Sequence, residues 1–269
     1  DSMVVGRFVG EDALAAVGSS FPVVFLSVAI AAGLSMGCTV VISQFFGAGK
    51  ILEMKITVST ALISLGVIGL IIMGIGEIIA GPLLTLLGTD PDIMADSLAY
   101  LRIYFGGAVF LFLYNSLNGI YNALGDSQTP LKFLMVSALT NIVLDLLLVV
   151  QFKMGVLGVA LATVISQVVS AVLAILALVQ EGVVYQLDFH KIRFTPSILR
   201  SVLNVGLPAG LQSDMYAISN IIIQSCINSF GTDTVAAWTA FGKIDGFFWM
   251  VMGAFGVSIT TFVSQNYGA

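Results

Sequence analysis

The sequence contains few of the side chains that carry charge or bind metals. Charged residues make up only 9% of the chain, against about 25% in an average soluble domain. There is one histidine, His190, and the two cysteines, Cys38 and Cys226, have no metal-ligand spacing. We therefore expect no metal centre, no cofactor, no enzymatic nucleophile–base pair and no basic surface for nucleic acid. Both cysteines lie in apolar runs, where we interpret them as buried small hydrophobic residues.

What the chain has in excess is apolar sequence. Hydrophobic residues make up 58% of its 269 residues. A protein with so little charge cannot cover its whole surface with groups that water solvates, so we expect an integral membrane protein surrounded by the lipid bilayer. Glycine is frequent, with 28 residues, as expected where transmembrane helices pack closely.

Seven apolar segments are long enough to cross a bilayer, which takes about 20 residues in a helix. They lie near residues 13–46, 56–86, 93–124, 131–152, 155–180, 197–229 and 234–266. Breaks that contain glycine and proline separate them, and each backbone must satisfy its polar groups within its own segment. The predicted fold class is therefore an all-α integral membrane protein, with residues 1–9 as the end of one further helix.

The chain repeats itself after 221 residues. Gly10–Ala16 aligns with Gly231–Ala237, and Ser43–Ala48 aligns with Ser264–Ala269, in one frame without a gap. The two copies lie an even number of spans apart, so they cross the membrane in the same direction and predict two parallel repeats. Two such periods predict roughly 440 residues and about twelve helices in a complete protein, so we expect this chain to be a fragment.

The repeat divides the chain into lobes. Residues 1–180 would form a first lobe, 181–196 a loop between the lobes, and 197–269 the start of a second lobe. Basic residues are concentrated in the loops after the second, fourth and sixth helices, which predicts that these loops face the cytoplasm. The basic residues on that side are Lys50, Lys55, Lys132, Lys191, Arg193 and Arg200.

Asp145 is the clearest functional candidate, because it is an ionisable residue in the middle of an apolar span. Asn141 lies one turn earlier on the same face of that helix. A carboxyl group in such a site can bind and release a proton near neutral pH. Together with amide and hydroxyl oxygens it can equally coordinate Na⁺, and the sequence leaves both possibilities open.

Polar stripes continue on the neighbouring helices. The preceding helix has Asn115, Asn118 and Asn122 on one face, and the following helix has Thr163, Ser166, Gln167 and Ser170 on one face. We expect these stripes to face one another or a watery cavity, and not lipid. The alternative is that they are interhelical hydrogen bonds that hold the bundle together.

Other charged residues lie near the ends of spans or in the second lobe. Asp214 follows Pro208 by six residues, and Lys243 lies in the first third of the last helix. Proline removes a backbone hydrogen bond and kinks a helix, so polar groups can gather there. Asp214 and Lys243 are either a structural pair or part of a functional site, whereas we place Glu77 at the membrane interface.

Several motifs together resemble the multidrug and toxic compound extrusion (MATE) family of secondary transporters. They are Asp1–Arg7, Ala15–Gly18, Ser43–Gly49, Leu87–Pro91, Gly125–Pro130 and Gly206–Leu211. The resemblance covers the whole chain, and it implies a MATE-like bundle of two parallel six-helix repeats, present here from the end of the first helix to the end of the eighth. It also implies a monomeric, multi-pass protein of the prokaryotic cytoplasmic membrane.

The resemblance implies a mechanism as well. In relatives of this type a carboxylate network in the first lobe drives export, and the matching positions here are Asp1, Asn115, Asn118, Asn141, Asp145 and Thr163. If Na⁺ is the coupling ion, its expected ligands are Asp1, Asn141, Asp145 and Thr163. Weaker candidates are Gln167, Asp214 and Lys243. The implied function is a multidrug efflux antiporter that exports lipophilic or cationic small molecules in exchange for H⁺ or Na⁺, without another cofactor.

Two other hypotheses remain open. The first is a flippase for lipid-linked oligosaccharides, which would have the same fold and a hydrophilic, often cationic, central cavity. Few basic residues lie within the spans here, and Lys243 is the clearest of them. The second is a truncated membrane protein that does not transport.

Overall fold

A computed structural model describes residues 2–180, 193–228 and 232–269. In these ranges the chain forms nine α-helices and one π-helical segment, and no strand. The helices are α1 (Ser2–Phe8), α2 (Glu11–Gly47), α3 (Ile51–Leu86), α4 (Met94–Gly106), α5 (Ala108–Ala123), α6 (Gln128–Asp145), α7 (Gly155–Val179), α8 (Pro196–Asn228) and α9 (Thr232–Gly268). The π-helical segment, Leu146–Gln151, continues α6. We call α1–α7 the first lobe and α8–α9 the second lobe.

The predicted apolar segments coincide with these helices. Among the described residues, α2, α3, α7, α9 and α6 with its π-helical extension are each long and apolar enough to cross a membrane. α4 and α5 together make a sixth such span, but it bends by 49° at Gly107, where the sequence predicts one continuous segment. The seventh predicted segment, near 197–229, corresponds to α8, which has 33 residues and packs against α2. Polar side chains such as Asn204 and Gln212 dilute its apolar sequence, and it is not among the spans found in the described residues.

Glycine ends three of the helices in the same way. After α2, α3 and α5, the residues Gly49, Gly88 and Gly125 have positive φ angles of 67°, 70° and 82°. In each case the next residue donates its N–H to a carbonyl five residues earlier, as Lys50 does to Phe45 over 3.0 Å. Glycine adopts this left-handed conformation at no steric cost, which explains why the predicted breaks contain it.

α2 runs parallel to α5 and is joined to it by a ladder of hydroxyl groups. Thr39 Oγ1 donates to the main-chain oxygen of Gly119 over 3.1 Å, and Ser43 Oγ donates to that of Ala123 over 3.1 Å. Ser35 makes the equivalent bond one turn earlier. Gly119 permits this approach, because a Cβ atom there would lie 2.6 Å from Ser35 Oγ.

A second close contact joins α2 to α8. Gly33 and Gly37 of α2 meet Gly206 and Gly210 of α8, and a Cβ atom on Gly206 would lie 2.9 Å from the Cα atom of Leu34. In a bilayer, where lipid tails are as apolar as the helices, small residues at this spacing let two backbones approach and gain van der Waals contact. Through this contact, the first helix of the second lobe packs against the first lobe.

Substitution of Gly119 tests the α2–α5 packing. We expect Gly119→Ala to lower the free energy of unfolding by about 1–3 kcal/mol, because the added methyl group overlaps Ser35 and forces the helices apart. Thermal unfolding of the purified protein in detergent measures the change.

The matched control is Gly66→Ala on α3, where a Cβ atom would make an ordinary contact at 3.5 Å with Leu113. We expect this variant to be at least as stable as the wild type, since alanine is the better helix former. Equal unfolding midpoints for the two variants would contradict the described packing.

Candidate functional site

Two hydrogen bonds define the register in which α6 and α7 pack antiparallel. Ser137 Oγ donates to the main-chain oxygen of Ser166 over 2.8 Å, and Ser170 Oγ donates to that of Phe133 over 3.5 Å. Each turn forward along α6 therefore corresponds to one turn backward along α7. The Ser166 and Ser170 positions of the predicted polar stripe thus form interhelical hydrogen bonds.

The same register brings together three of the predicted site residues. One turn beyond Ser137, Asn141 comes opposite the Ala162–Thr163 turn of α7. Asp145 follows one further turn along α6, and Thr163 Oγ1 donates to the main-chain oxygen of Val159 over 3.0 Å on the facing helix. The register therefore places Asn141, Asp145 and Thr163 within about two turns of one another along the α6–α7 pair. That their carboxyl, amide and hydroxyl groups form one site stays a prediction.

Asp145 lies at an irregular point in the backbone. α6 ends at this residue and the chain continues as the π-helical segment, a geometry that is frequent at functional sites. The side chain is only 1% exposed. α1 packs against the π-helical segment and α7, with Val5 buried beside Val149 and Val159. Asp1, which precedes α1, lies outside the described residues, so its proximity to Asp145 stays a prediction.

α4 contributes two tyrosines that the sequence reasoning missed. Tyr100 lies close enough to Asp145 for an electrostatic interaction, and Tyr104 lies near Gln167 of α7. Both side chains are buried, and their rings stack with centroids 6.4 Å apart. The available signal was the i, i+4 spacing of two phenol groups in an apolar helix, which puts both hydroxyls on one face.

The asparagines of α5 lie in a different place from Asp145. Asn115 Nδ2 donates to the main-chain oxygen of Leu111 over 2.8 Å within its own helix. Asn122 Nδ2 donates to Asn118 Oδ1 over 3.2 Å, and both of these side chains border a cleft between the lobes. Two of the three α5 asparagines, Asn118 and Asn122, thus face a cavity, whereas α6 and α7 join through Ser137, Ser166 and Ser170.

The cleft between the lobes has a volume of about 400 Å³. α2 and α5 form one wall, and α8 and α9 form the other. Its polar lining residues are Ser35, Thr39, Asn118, Asn122, Ser213 and Thr260. The remaining lining residues of the described chain are glycine, alanine, valine and methionine, so no charged side chain borders the cleft in these ranges.

Asp214 is the second buried carboxylate of the described chain. It lies one turn beyond Gly210, on the α8 face that packs against α2, and it is 8% exposed. Its Oδ1 atom has no hydrogen-bond partner among the described residues. The side chain of Lys243 lies outside the described part of the chain, so the predicted pair with Asp214 is not tested.

Two smaller expectations concern Glu77 and the cysteines. Glu77 is 41% exposed and lies 3.8 Å from the guanidinium group of Arg102 on α4, so the two form an ion pair, and the position of Glu77 at the membrane interface stays a prediction. Cys38 is buried as predicted, but the prediction for Cys226 is wrong, because this residue is exposed on α8. It lies in the last turns of that helix, beyond the part that packs against α2.

These features define a class of protein: a multi-pass helical membrane protein with an internal repeat, a cleft between two lobes and a buried polar cluster in the first. The MatE family model matches residues 1–147, and the chain belongs to this family. A second family model, that of the lipid II flippase MurJ, matches residues 89–213.

Bacterial multidrug resistance proteins are among the curated proteins similar to the chain. It is 31% identical over 276 residues to the probable multidrug resistance protein YoeA of Bacillus subtilis (strain 168), which covers 99% of the chain and 59% of that protein. It is 29% identical over 268 residues to the probable multidrug resistance protein YpnP of the same strain, which covers 100% of the chain and 60% of that protein. The chain therefore spans about three fifths of the length of these relatives.

Solved structures confirm the MATE-like fold. The crystal structure of MATE in the straight conformation matches with a TM-score of 0.91 at 26% identity, covering 99% of the chain and 60% of that protein. The outward-facing conformation of a multidrug resistance MATE family transporter matches with a TM-score of 0.83 at 25% identity, covering 99% of the chain and 57% of that protein. The predicted resemblance to a family of transporters, rather than enzymes, is thereby confirmed.

A double-mutant cycle tests the polar contact between α4 and α7. We expect Tyr104→Phe and Gln167→Leu each to destabilise the protein and to be non-additive by about 0.5–1.5 kcal/mol, because the two polar side chains are neighbours. Free energies of unfolding in detergent give the coupling energy. Tyr104→Phe combined with Thr140→Val, whose hydroxyl bonds only within α6, should be additive, and additivity in both cycles would refute the contact.

Proposed function

We propose that the complete protein is a secondary active multidrug efflux antiporter, which exports lipophilic or cationic compounds in exchange for H⁺ or Na⁺. The observation that carries this proposal is the buried carboxylate of Asp145, which does not border the cleft between the lobes. Membership of the MatE family and the similarity to two probable multidrug resistance proteins support it.

The cleft is the proposed path of the exported compound. It lies where the two lobes meet, so a change in their relative orientation exposes it to one side of the membrane and then to the other. The amide groups of Asn118 and Asn122 and the hydroxyl groups of Ser35 and Thr39 offer hydrogen bonds, while the glycines and Met36 offer apolar surface. Such a lining suits a compound that is partly apolar and partly polar.

The cluster around Asp145 is the proposed ion site. A proton on the carboxyl group removes a charge that is costly to bury, and Tyr100 of α4 lies close enough to interact with that charge. If the ion is Na⁺, the oxygens of Asp145, Asn141 and Thr163 supply its ligands, with Asp1 as the predicted fourth. The cluster borders the packing of α1 on the π-helical segment, so binding an ion there can favour one packing over the other. The ion shifts this equilibrium only by its difference in affinity for the two states.

The loops after α2, α5 and α7 are the proposed cytoplasmic side. Lys50 lies between α2 and α3, Lys132 lies in the second turn of α6, and Arg193 precedes α8. Thr60 of α3 donates to the main-chain oxygen of Arg193 over 3.2 Å and accepts a bond from the N–H of Thr195 over 3.2 Å. The start of α8, with Arg193 before it, therefore lies at the same end of the bundle as Lys50. This supports the proposal that basic residues are concentrated on one side of the membrane.

Flipping of a lipid-linked oligosaccharide is a second candidate function. The match to the MurJ model over residues 89–213 favours it, whereas the uncharged lining of the cleft in the described residues does not. Proteoliposomes decide between the two: the antiporter exports a cationic dye under an ion gradient, and the flippase moves a fluorescent lipid-linked oligosaccharide between leaflets. Flipping without dye transport would replace our proposal with this one.

Asp145→Asn tests the location of ion coupling. We expect this isosteric change to reduce ion-driven dye efflux by about tenfold or more, because the amide can neither bind a proton nor offer a negative ligand to Na⁺. Membrane insertion and stability should be retained. Efflux from vesicles under an imposed ion gradient is the measurement.

Two control variants accompany it. Asp214→Asn removes the other buried carboxylate and should retain coupling, and Asp126→Asn changes a carboxylate that only caps the start of α6. Wild-type efflux by Asp145→Asn, or an equal loss in Asp214→Asn, would refute a site confined to the first lobe.

Thr163→Val separates the two coupling ions. If Na⁺ is bound, loss of a neutral ligand should raise the Na⁺ concentration for half-maximal efflux by about tenfold, a cost near 1.4 kcal/mol. If H⁺ is bound, the pH dependence of efflux should stay within about threefold of the wild type, since the carboxyl group of Asp145 remains. Efflux at fixed pH with varied Na⁺, and the reverse, distinguishes the outcomes. Unchanged dependence on both ions would mean that Thr163 is not a ligand.

A further inference from the structure

The ends of α2 and α9 touch each other through two glycines. A Cβ atom on Gly47 would overlap the main chain of Gln265, and a Cβ atom on Gly268 would overlap the main chain of Gln44. The obstacle in both cases is backbone, which cannot rotate away as the tip of a side chain can. Any other residue at either position is therefore incompatible with this contact unless the two helix ends separate.

The internal repeat relates the two halves of this contact to each other. Gly47 and Gly268 are 221 residues apart, and so are Gln44 and Gln265. Each lobe thus presents the same pair of residues to the other, as the subunits of a two-fold dimer do at an isologous interface. Gly47 contacts Gln265, and its repeat partner Gly268 contacts Gln44. The pseudo-two-fold axis that relates the two copies therefore passes between α2 and α9 at this end of the bundle.

At the same end of the bundle, side chains of α9 donate hydrogen bonds to the main chain of α5. Gln265 Nε2 donates to the main-chain oxygen of Ala123 over 2.7 Å, and Thr261 Oγ1 donates to that of Asn122 over 3.0 Å. These oxygens lie in the last turn of α5, where a helix leaves its carbonyl groups without internal partners. Asn122 also borders the cleft, so these two hydrogen bonds lie next to one end of it.

We propose that Gly47, Gly268 and Gln265 form a lock that closes the inter-lobe cleft at the end where the α2–α3 loop lies. The lock must open before the cleft can face that side, so the two glycines set the balance between the two orientations of the lobes. This inference rests on the proposed function for the meaning of the cleft and for the cytoplasmic position of the α2–α3 loop. It does not depend on the coupling ion or on Asp145.

The test measures how fast a cysteine in the cleft is labelled from each side of the membrane. The protein is expressed from its complete gene with Cys38→Ala and Cys226→Ser, and Met36→Cys, on the cleft wall, serves as the reporter. A membrane-impermeant maleimide is applied to inside-out and to right-side-out vesicles. Lys50→Cys in place of the reporter identifies the side on which the α2–α3 loop lies.

We expect Gly47→Ala and Gly268→Ala each to increase labelling from the side of Lys50 by about threefold or more and to decrease it from the opposite side. The repeat adds a sharper expectation, since two positions that are images of each other should shift the balance by similar factors. Gly246→Ala on α9 and Gly74→Ala on α3, where nothing lies within 4 Å of the added atom, should leave both rates unchanged.

Gln265→Leu is a second variant that tests the lock even if the glycine variants do not fold. It removes the bond to Ala123 without adding an atom against the backbone, and it should shift labelling in the same direction. The proposal is overturned if folded glycine variants label like the controls, if only one of the two responds, or if Gln265→Leu has no effect. If Lys50→Cys is labelled from outside the cell, the cytoplasmic assignment in the proposed function fails, and the lock is still judged from the side that Lys50 faces.

Discussion

Close approach of backbones at α2 is the constraint on which the rest of the structure depends. In lipid, apolar side chains gain little by leaving their surroundings, so helices associate where small residues let them touch and where polar groups find partners. α2 combines both: Gly33 and Gly37 meet the glycines of α8, and its hydroxyl groups bond to the carbonyls of α5. One helix thereby contacts both lobes, and Ser35 and Thr39, which bond to α5, also border the cleft.

This arrangement separates two chemical environments that a transporter needs. The cleft between the lobes is lined by neutral hydrogen-bonding groups and small residues in the described chain, whereas the buried carboxylate of Asp145 lies between α4, α6 and α7. An ion and an exported compound that compete for one site are coupled directly. With separate sites, coupling must pass through helix packing, and the junction of α1 with the π-helical segment borders the Asp145 cluster.

Much of the fold could be predicted from the sequence, because length and turn chemistry are local properties. The apolar segments near 13–46 and 155–180 correspond to α2 and α7, and the glycine breaks became helix ends with left-handed glycines. The site was predicted less completely. Helical spacing shows which residues share a face, but in an apolar helix it does not show whether that face meets another helix, a cleft or lipid. Only the structure shows that Asn118 and Asn122 border the cleft and that the chain bends at Gly107. Sequence also does not distinguish Tyr100 from other buried aromatic residues.

The most direct test of separate sites is to measure the ion that is displaced when a cationic dye binds to the purified protein. Dye is added to the complete protein in weakly buffered detergent solution, and released protons and released radioactive Na⁺ are followed alongside dye fluorescence. The account predicts that dye binding displaces one of these ions from the wild type. Asp145→Asn should bind the dye with similar affinity and displace neither ion, because Asp145 does not border the cleft. Equal ion release by the variant, or loss of dye binding in a folded variant, would contradict the central claim.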